Sequence, residues 1–180
     1  MSCEPWQCAE IAATKKANPI NKPEIAAAMI KKASRPLLIV GSYATERYME
    51  GRLLIEYLID FAHASRVPVV ATAHMVGEFL KRGYRPASFI SAMDIGQRIV
   101  DPEWKGLDGK GPYDLVIIVG LPFYMEELIL SGLMHFAPDQ RTMTLDNLYH
   151  PHASWSFPNA TLEEWAANLK VITSKFEGGQ

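Results

Sequence analysis

The residues best placed for chemistry are two glycines, Gly41 and Gly120, each directly after an apolar run and before a helical pattern. A glycine lets the backbone approach a ligand closely, and the first N–H groups of a helix can hold a phosphate. Hydroxyl groups close to these glycines could add hydrogen bonds to the same ligand. The sequence therefore predicts a nucleotide or flavin site with the candidate residues Gly41, Ser42, Tyr43, Ala44, Thr72, His74, Gly120 and Pro122.

The glycine pattern of dinucleotide-binding loops, Gly-x-Gly-x-x-Gly, is incomplete here because Tyr43 occupies the place of its second glycine. A tyrosine at that position could stack on a ring or block a pyrophosphate. Strand-end glycines are also common where a chain only turns, so a purely structural interpretation stays open. Replacing Gly41 with tryptophan is expected to abolish flavin binding and to leave the fold mostly intact.

The histidines and acidic residues form no recognisable catalytic or metal-binding motif. His74 follows a predicted strand, but no motif links it to a nucleophile. His150 and His152 lie two residues apart and lack a third ligand at a useful spacing. Glu126 and Glu127 lie near a predicted helix start, where carboxylates favour the helix dipole. The sequence therefore predicts no catalytic residue and no metal in this chain.

The only cysteines, Cys3 and Cys8, lie close to the amino terminus. A structural metal site usually needs four ligands, and the chain has no further cysteine to supply them. These two residues are expected to be reduced thiols in a loose arm.

The elements that must position the glycines follow from the apolar pattern. Continuous apolar runs without alternation are typical of strands that are covered on both faces of a parallel sheet. Residues spaced three and four apart predict helices, and Thr161 with Glu164 fits a capping box before the last one. The predicted strands are 37–40, 67–71, 88–92, 114–119 and 141–145. The predicted helices are 23–33 (capped by Asn21), 46–63, 75–82, 95–100, 122–136 and a C-terminal helix whose apolar face includes residues 162–172.

Alternating strands and helices predict an α/β fold, a doubly wound Rossmann-like parallel sheet with helices on both faces. With the strand order 3-2-1-4-5, Gly41 and Gly120 become neighbours at the switch point, beyond the carboxyl ends of the strands where such folds bind ligands. Residues 1–21 show no period and are predicted to be an arm, and residues 22–180 to be a single nucleotide-binding-type domain.

The charge and the apolar content of the chain limit the kinds of partner that it can bind. The 180 residues carry a net charge of −2, which provides no basic surface for nucleic acid. No apolar run reaches the roughly 20 residues of a membrane helix, and residues 1–6 do not resemble a signal peptide. A cytoplasmic protein bound neither to membrane nor to nucleic acid is expected.

Three segments carry a family likeness: Arg35–Ser42, Val67–Thr72 and Tyr113–Gly120. They resemble the central domain of thiamine-diphosphate enzymes, a branch of the deoxyhypusine-synthase-like NAD/FAD-binding fold. From about residue 20 to 175 the chain is more closely similar to the epsilon subunit family of the archaeal acetyl-CoA decarbonylase/synthase, or carbon monoxide dehydrogenase, complexes. The turn Gly120-Leu121-Pro122-Phe123-Tyr124 and the length of the chain support this likeness.

The resemblance implies an accessory role without catalysis. Its expected partner is a large nickel–iron–sulfur alpha subunit, in an alpha-two epsilon-two heterotetramer within a larger multi-subunit complex. The resemblance also implies stabilisation of that subunit and an FAD that assists electron transfer during CO oxidation. Two alternatives are a free-standing nucleotide- or flavin-dependent oxidoreductase or hydrolase, and a small-molecule sensor domain.

Overall fold

The structure is a computed structural model that describes residues 16–72 and 75–177. The two cysteines and His74 lie outside these residues, as does most of the predicted arm. The strands are β1 (Asn18–Pro19), β2 (Pro36–Val40), β3 (Tyr48–Met49), β4 (Arg52–Leu53), β5 (Val69–Ala71), β6 (Ser88–Phe89), β7 (Leu115–Val119), β8 (Arg141–Thr144) and β9 (Trp155–Ser156). The helices are α1 (Pro23–Lys32), α2 (Leu54–Ser65), α3 (Val76–Lys81), α4 (Ala92–Val100), α5 (Phe123–Phe136) and α6 (Leu162–Glu177).

Seven strands form one sheet in the order β1-β9-β8-β7-β2-β5-β6, and every neighbouring pair is parallel. The predicted Rossmann-like α/β class is therefore confirmed, and the five predicted strands lie in the order 3-2-1-4-5, the one that makes Gly41 and Gly120 neighbours. The centre of the sheet is the long pairing of β2 with β7, from Pro36 opposite Leu115 to Val40 opposite Val119. This register brings the residues after both strands, Gly41 and Gly120, to the same edge of the sheet.

The apolar runs form strands because both faces of the sheet are covered. Alternate residues of β7 enter different cores: Leu115 and Ile117 pack toward α1, α2 and α6, whereas Val116 and Ile118 pack toward α4 and α5. All four side chains are at most 1% exposed. The fold therefore has three layers, with the sheet between two layers of helices.

Two helix ends illustrate how local sequence determines boundaries. The predicted capping box before α6 is confirmed, because Glu164 N–H donates to Thr161 Oγ1 at 3.2 Å and Thr161 N–H donates to the Glu164 carboxylate at 2.9 Å. The predicted cap at Asn21 is wrong: the N-cap of α1 is Lys22, with no side-chain hydrogen bond, and Pro23 occupies the first turn. Proline suits that place since it has no N–H to satisfy.

The helix predicted from residue 46 begins only at Leu54. A short 3₁₀ turn, Ser42–Thr45, precedes the antiparallel hairpin of β3 and β4. Glu50 and Gly51 connect these strands with φ angles of 47° and 81°, which matches the left-handed two-residue turn of tight hairpins. The glycine at position 51 thus favoured a turn where apolar spacing alone indicated a helix.

The sheet extends beyond the five predicted strands. β9 pairs with β8, and β1, from the end of the predicted arm, pairs with β9 at the edge. Neither strand was predicted, since two-residue strands leave no periodic pattern. Among the described residues, no helix combines the length and the apolar character needed to cross a membrane.

Candidate functional site

Gly41 and Gly120 do meet at the switch point, and they contact each other. Gly41 N–H donates to Val119 O at 2.9 Å, and a Cβ placed on Gly41 would lie 2.3 Å from Gly120 O. Gly120 has φ of 76°, a conformation that glycine adopts without strain. Glycine is required at both positions by the backbone itself. The expectation that tryptophan at position 41 would spare the fold is therefore wrong.

The backbone donors beside these glycines are largely occupied. Tyr43 N–H donates to Gly120 O at 2.8 Å, and Ala44 N–H donates to Gly41 O at 3.1 Å. Gly120 N–H donates to both carboxylate oxygens of Asp146 at 3.0 Å. A pyrophosphate would need these N–H groups, so the residues present do not fit a dinucleotide held at this turn. Because these backbone N–H groups are already occupied, they do not support flavin binding here, which stays a prediction.

The remaining candidate residues surround the same edge. Pro122 precedes α5, and Ser42 lies in the 3₁₀ turn. Thr72 is buried, its N–H donates to Val40 O at 3.0 Å, and its Oγ1 has no hydrogen-bond partner among the described residues. The structure thus brings seven of the eight predicted residues to one sheet edge, and His74 lies outside the described residues.

One cavity opens at this edge. It has a volume of about 210 Å³ and is lined by residues that include Tyr43, Arg47, Phe123, Tyr124, Asp146 and His150. Pockets that enclose a drug-sized ligand or cofactor typically measure about 300–1,000 Å³. This Tyr43 cavity suits water, an ion or a small group better than a whole dinucleotide. A larger cavity, of about 600 Å³, lies at the opposite edge of the sheet beside Arg35 and Arg66.

Next to the Tyr43 cavity lies a set of titratable side chains that we call the acid–histidine cluster: Glu126, Glu127, Asp146, His150 and His152. His150 Nδ1 lies 2.8 Å from Glu127 Oε1, and His152 Nδ1 lies 2.5 Å from Glu127 Oε2. His150 Nε2 faces the other way and is 3.8 Å from Glu126 Oε1. Glu126, Asp146 and His150 each present one ligand atom within 4.8 Å of the other two.

Three segments position the cluster. Glu126 and Glu127 lie in the first turn and a half of α5, which begins at Phe123, three residues after Gly120. Asp146 follows β8, and its carboxylate accepts the Gly120 N–H, so it links the ends of β7 and β8. His150 lies in the following loop, where its N–H donates to Ser156 Oγ and its ring stacks on Phe123 at 4.6 Å.

Burial makes this cluster electrostatically costly. Glu126 is 0% exposed, and neither of its side-chain oxygens has a hydrogen-bond partner among the described residues. Burial, together with the charge of Asp146, raises the pKa of Glu126 well above its ordinary value. Burial also raises the pKa of Asp146. An ionised pair of carboxylates needs a neutralising partner here, because a buried unpaired charge costs several kcal/mol, on the order of the protein's whole stability.

Sequence reasoning missed the cluster. The helix dipole was sufficient to explain Glu126 and Glu127 from the sequence, yet both side chains are buried. His150 and His152 were not predicted to bind a metal because the sequence offered no third ligand. In the structure they lie beside Glu126 and Glu127, which are 23 residues or more away in sequence. Two adjacent glutamates in a largely apolar helix, ahead of a His-Pro-His segment, were the signal that the sequence offered.

The chain matches the sequence model of the family "CO dehydrogenase beta subunit/acetyl-CoA synthase epsilon subunit" over residues 1–173. It is 37% identical over 168 residues to the acetyl-CoA decarbonylase/synthase complex subunit epsilon of Methanothermobacter thermautotrophicus, covering 93% of each chain. It is also 37% identical over 158 residues to subunit epsilon 1 of the corresponding Archaeoglobus fulgidus complex, covering 87% of this chain and 82% of that one.

A solved structure of a Mycobacterium smegmatis protein described as a thiamin diphosphate-dependent enzyme aligns with a TM-score of 0.46 and 14% identity. The alignment covers 93% of this chain and 30% of that one. A likeness at that level carries no argument about function.

Proposed function

Because the chain belongs to the family of CO dehydrogenase beta subunits and acetyl-CoA synthase epsilon subunits, we propose that it is a non-catalytic subunit of an acetyl-CoA decarbonylase/synthase complex. In this role it stabilises a large nickel–iron–sulfur alpha subunit in an alpha-two epsilon-two unit. The observation that carries the proposal is near end-to-end similarity, 93% of both chains, to a relative that is itself named as a complex subunit.

An accessory role requires a surface for the partner, and α4 and α5 offer one. Three of the most exposed large apolar side chains lie on α5: Tyr124, Leu128 and Phe136 are 72%, 60% and 75% exposed. Exposed apolar residues that cluster on one face mark protein–protein contacts. These side chains favour α5 as the element that packs against the alpha subunit.

A groove between α4 and α5 adds shape to this surface. It has a volume of about 230 Å³ and is lined by residues that include Met93, Gly96, Leu128, Gly132 and Phe136. Glycines at positions 96 and 132 keep its floor open, and a partner side chain could enter it as an anchor. Pockets of this kind commonly hold the residues that contribute most to binding. We therefore place the alpha-subunit contact on the α4–α5 groove.

Anaerobic co-purification with the alpha subunit of the same organism tests this proposal. The full chain should recover the alpha subunit in equal amount, with CO oxidation that survives heating longer than that of the alpha subunit alone. Leu128→Asp should weaken recovery about tenfold or more, because a charge in a desolvated contact is costly. Ile25→Asp, an exposed position on α1 across the sheet, is the matched control and should recover the partner normally.

Native mass spectrometry of the recovered material should give two copies of each chain. Recovery of this chain alone would contradict the subunit role, and equal losses in the Leu128 and Ile25 variants would contradict the assigned surface. The visible absorption spectrum of the same sample tests the flavin expectation: a flavin band that follows this chain would support FAD-linked electron transfer, and a colourless chain would restrict its role to stabilisation.

A further inference from the structure

The acid–histidine cluster contains three side chains whose ligand atoms converge on one point in the interior. We propose that Glu126, Asp146 and His150 bind one divalent ion of the first-row transition metals, of the Zn²⁺ type, at the carboxyl ends of β7 and β8. This site is independent of the subunit role argued above. It also replaces the sequence-based expectation that the chain holds no metal.

The spacing of the ligand atoms fits one ion. One atom from each side chain lies within 4.8 Å of the other two. Nitrogen and oxygen ligands lie about 2.0–2.2 Å from zinc, so two ligands of a tetrahedral ion are about 3.3–3.6 Å apart. His150 Nε2 and Glu126 Oε1, at 3.8 Å, are already close to this separation. Small side-chain rotations would bring all three ligand atoms onto one ion.

The orientation of His150 is that of a metal ligand. Its Nδ1 is 2.8 Å from the Glu127 carboxylate, which accepts a hydrogen bond when ionised, so Nδ1 is the nitrogen that donates to Glu127 in the metal-bound form. The lone pair then remains on Nε2, the nitrogen that faces Glu126. Metal-binding histidines are held by a carboxylate in this way, which fixes the tautomer and the ring plane. Stacking on Phe123 restrains the same plane further.

Glu126 supplies the independent sign of a missing ligand. Its side chain is completely buried, and neither of its oxygens makes a hydrogen bond of ordinary geometry among the described residues, although Asp146 and Thr144 lie beside it. One of these oxygens lies within 4.8 Å of a ligand atom of Asp146 and of His150. Buried polar atoms are hydrogen-bonded in the great majority of cases, and an exception indicates a catalytic role or an absent ion or water. A doubly charged cation would satisfy the Glu126 oxygens and neutralise both carboxylates.

A metal ion can reach the three ligands through the Tyr43 cavity. The types of the ligand atoms determine which metals suit the site. Asp146 and His150 line the Tyr43 cavity, which gives room for water on the open side of the ion. Two carboxylates with one imidazole suit Zn²⁺, Fe²⁺ or Mn²⁺, whereas Mg²⁺ and Ca²⁺ prefer oxygen ligands alone. The three ligands come from α5, from the end of β8 and from the following loop. The ion would therefore tie α5, which carries the proposed partner surface, to the sheet.

Metal uptake by the full chain is the test. After removal of metals with a chelator, isothermal titration with Zn²⁺ should show one ion per chain, and Co²⁺ should give a visible absorption without a thiolate band. Zn²⁺ at a hundredfold excess over its dissociation constant should raise the unfolding midpoint by about 5–10 °C. Mg²⁺ at the same concentration should leave the midpoint unchanged.

Four variants separate this site from others. Glu126→Gln keeps the shape of the side chain and should weaken Zn²⁺ binding about 100-fold or more. Glu127→Gln should weaken it about 10- to 100-fold, the usual cost of losing the partner of a metal-binding histidine. Glu163→Gln, in the exposed first turn of α6, is the matched control and should bind normally. The Cys3→Ser, Cys8→Ser chain should also bind normally, which excludes the thiols.

Two results would overturn the proposal: a native chain that takes up no stoichiometric Zn²⁺, or a folded Glu126→Gln chain that binds it as tightly as the native one. Unchanged or higher stability of Glu126→Gln, without ion uptake by the native chain, would show that a proton joins the two carboxyl groups instead. Should Glu126→Gln fail to fold, Asp146→Asn takes its place. Should both fail, the Co²⁺ spectrum of the native chain decides, since a thiolate band or no spectrum contradicts the site.

Discussion

At the scale of single residues, the same property of glycine explains both the prediction at the switch point and its outcome. Glycine at position 41 permits a close approach, which suggested a ligand phosphate. The group that approaches is instead the carbonyl of Gly120, 2.3 Å from where a Cβ of residue 41 would lie. Sequence identified the positions where the backbone must come close, but not what it comes close to.

Gly41→Ala should therefore destabilise the chain by about 1–3 kcal/mol, the usual cost of forcing an extra methyl group into a packed interior. Urea unfolding followed by circular dichroism measures this difference. Gly132→Ala is the control, because nothing lies within 4 Å of a Cβ there and alanine favours a helix by about 0.5–1 kcal/mol. A Gly41→Ala chain as stable as the native one would mean that β2 and β7 separate easily.

The acid–histidine cluster shows where residue-level prediction ends. Its members come from three separate segments, and only the pairing of β7 with β8 and the turn at Gly120 bring Asp146 beside Glu126. No spacing in the sequence reports such a contact. The burial of Glu126 is equally hidden, because a glutamate in the first turns of a helix is usually solvated and needs no partner.

At the scale of elements, the strands and most helices were predictable because their pattern is strong. β2 and β7 are uninterrupted apolar runs, and α6 carries both its capping box and an apolar stripe. The prediction was wrong where a pattern is short or shared by two structures. β9 has two residues, and the hairpin from Tyr48 to Leu53 has polar and apolar residues at a spacing that a helix also allows.

The capping box allows a prediction for α6. Thr161→Ala should lower the free energy of unfolding by about 1 kcal/mol, because it leaves the N–H of Glu164 without its acceptor at the helix start. Thermal unfolding should show a midpoint lower by about 2–4 °C. Ser174→Ala, exposed in the same helix, should change the stability by less than about 0.5 kcal/mol. Equal effects at both positions would show that helix propensity, not capping, determines the stability of α6.

At the scale of the whole molecule, the two faces of the sheet differ in what covers them. α1, α2 and α6 bury one face, and α4 and α5 cover the other while exposing Leu128 and Phe136 outward. The acid–histidine cluster includes Glu126 and Glu127 near the start of α5, the helix that also carries the surface that we assign to the partner. Stability at the cluster and affinity at the partner surface would then be coupled through one helix.

The edge strand β1 determines where the folded domain begins. The absence of a periodic pattern in residues 1–21 predicted a boundary at residue 22, yet β1 lies before it and adds an edge strand to the sheet. Ile20 N–H donates to Ser156 O at 2.8 Å, and Tyr149 Oη–H donates to Ala17 O at 2.6 Å. Ile20 is only 2% exposed. We expect a chain that begins at Lys22 to be about 2–5 kcal/mol less stable than one that begins at Lys16, since the loss of a buried isoleucine costs about that much.

Urea unfolding of the two truncated chains gives this difference without any contribution from residues 1–15, which both lack. The shorter chain also leaves the N–H and C=O groups of β9 unpaired, and such an open edge recruits other strands. Sedimentation should therefore show self-association of the chain from Lys22 and a monodisperse chain from Lys16. Equal stability and equal monodispersity would place the boundary at residue 22 and reduce β1 to a strand that the sheet does not need.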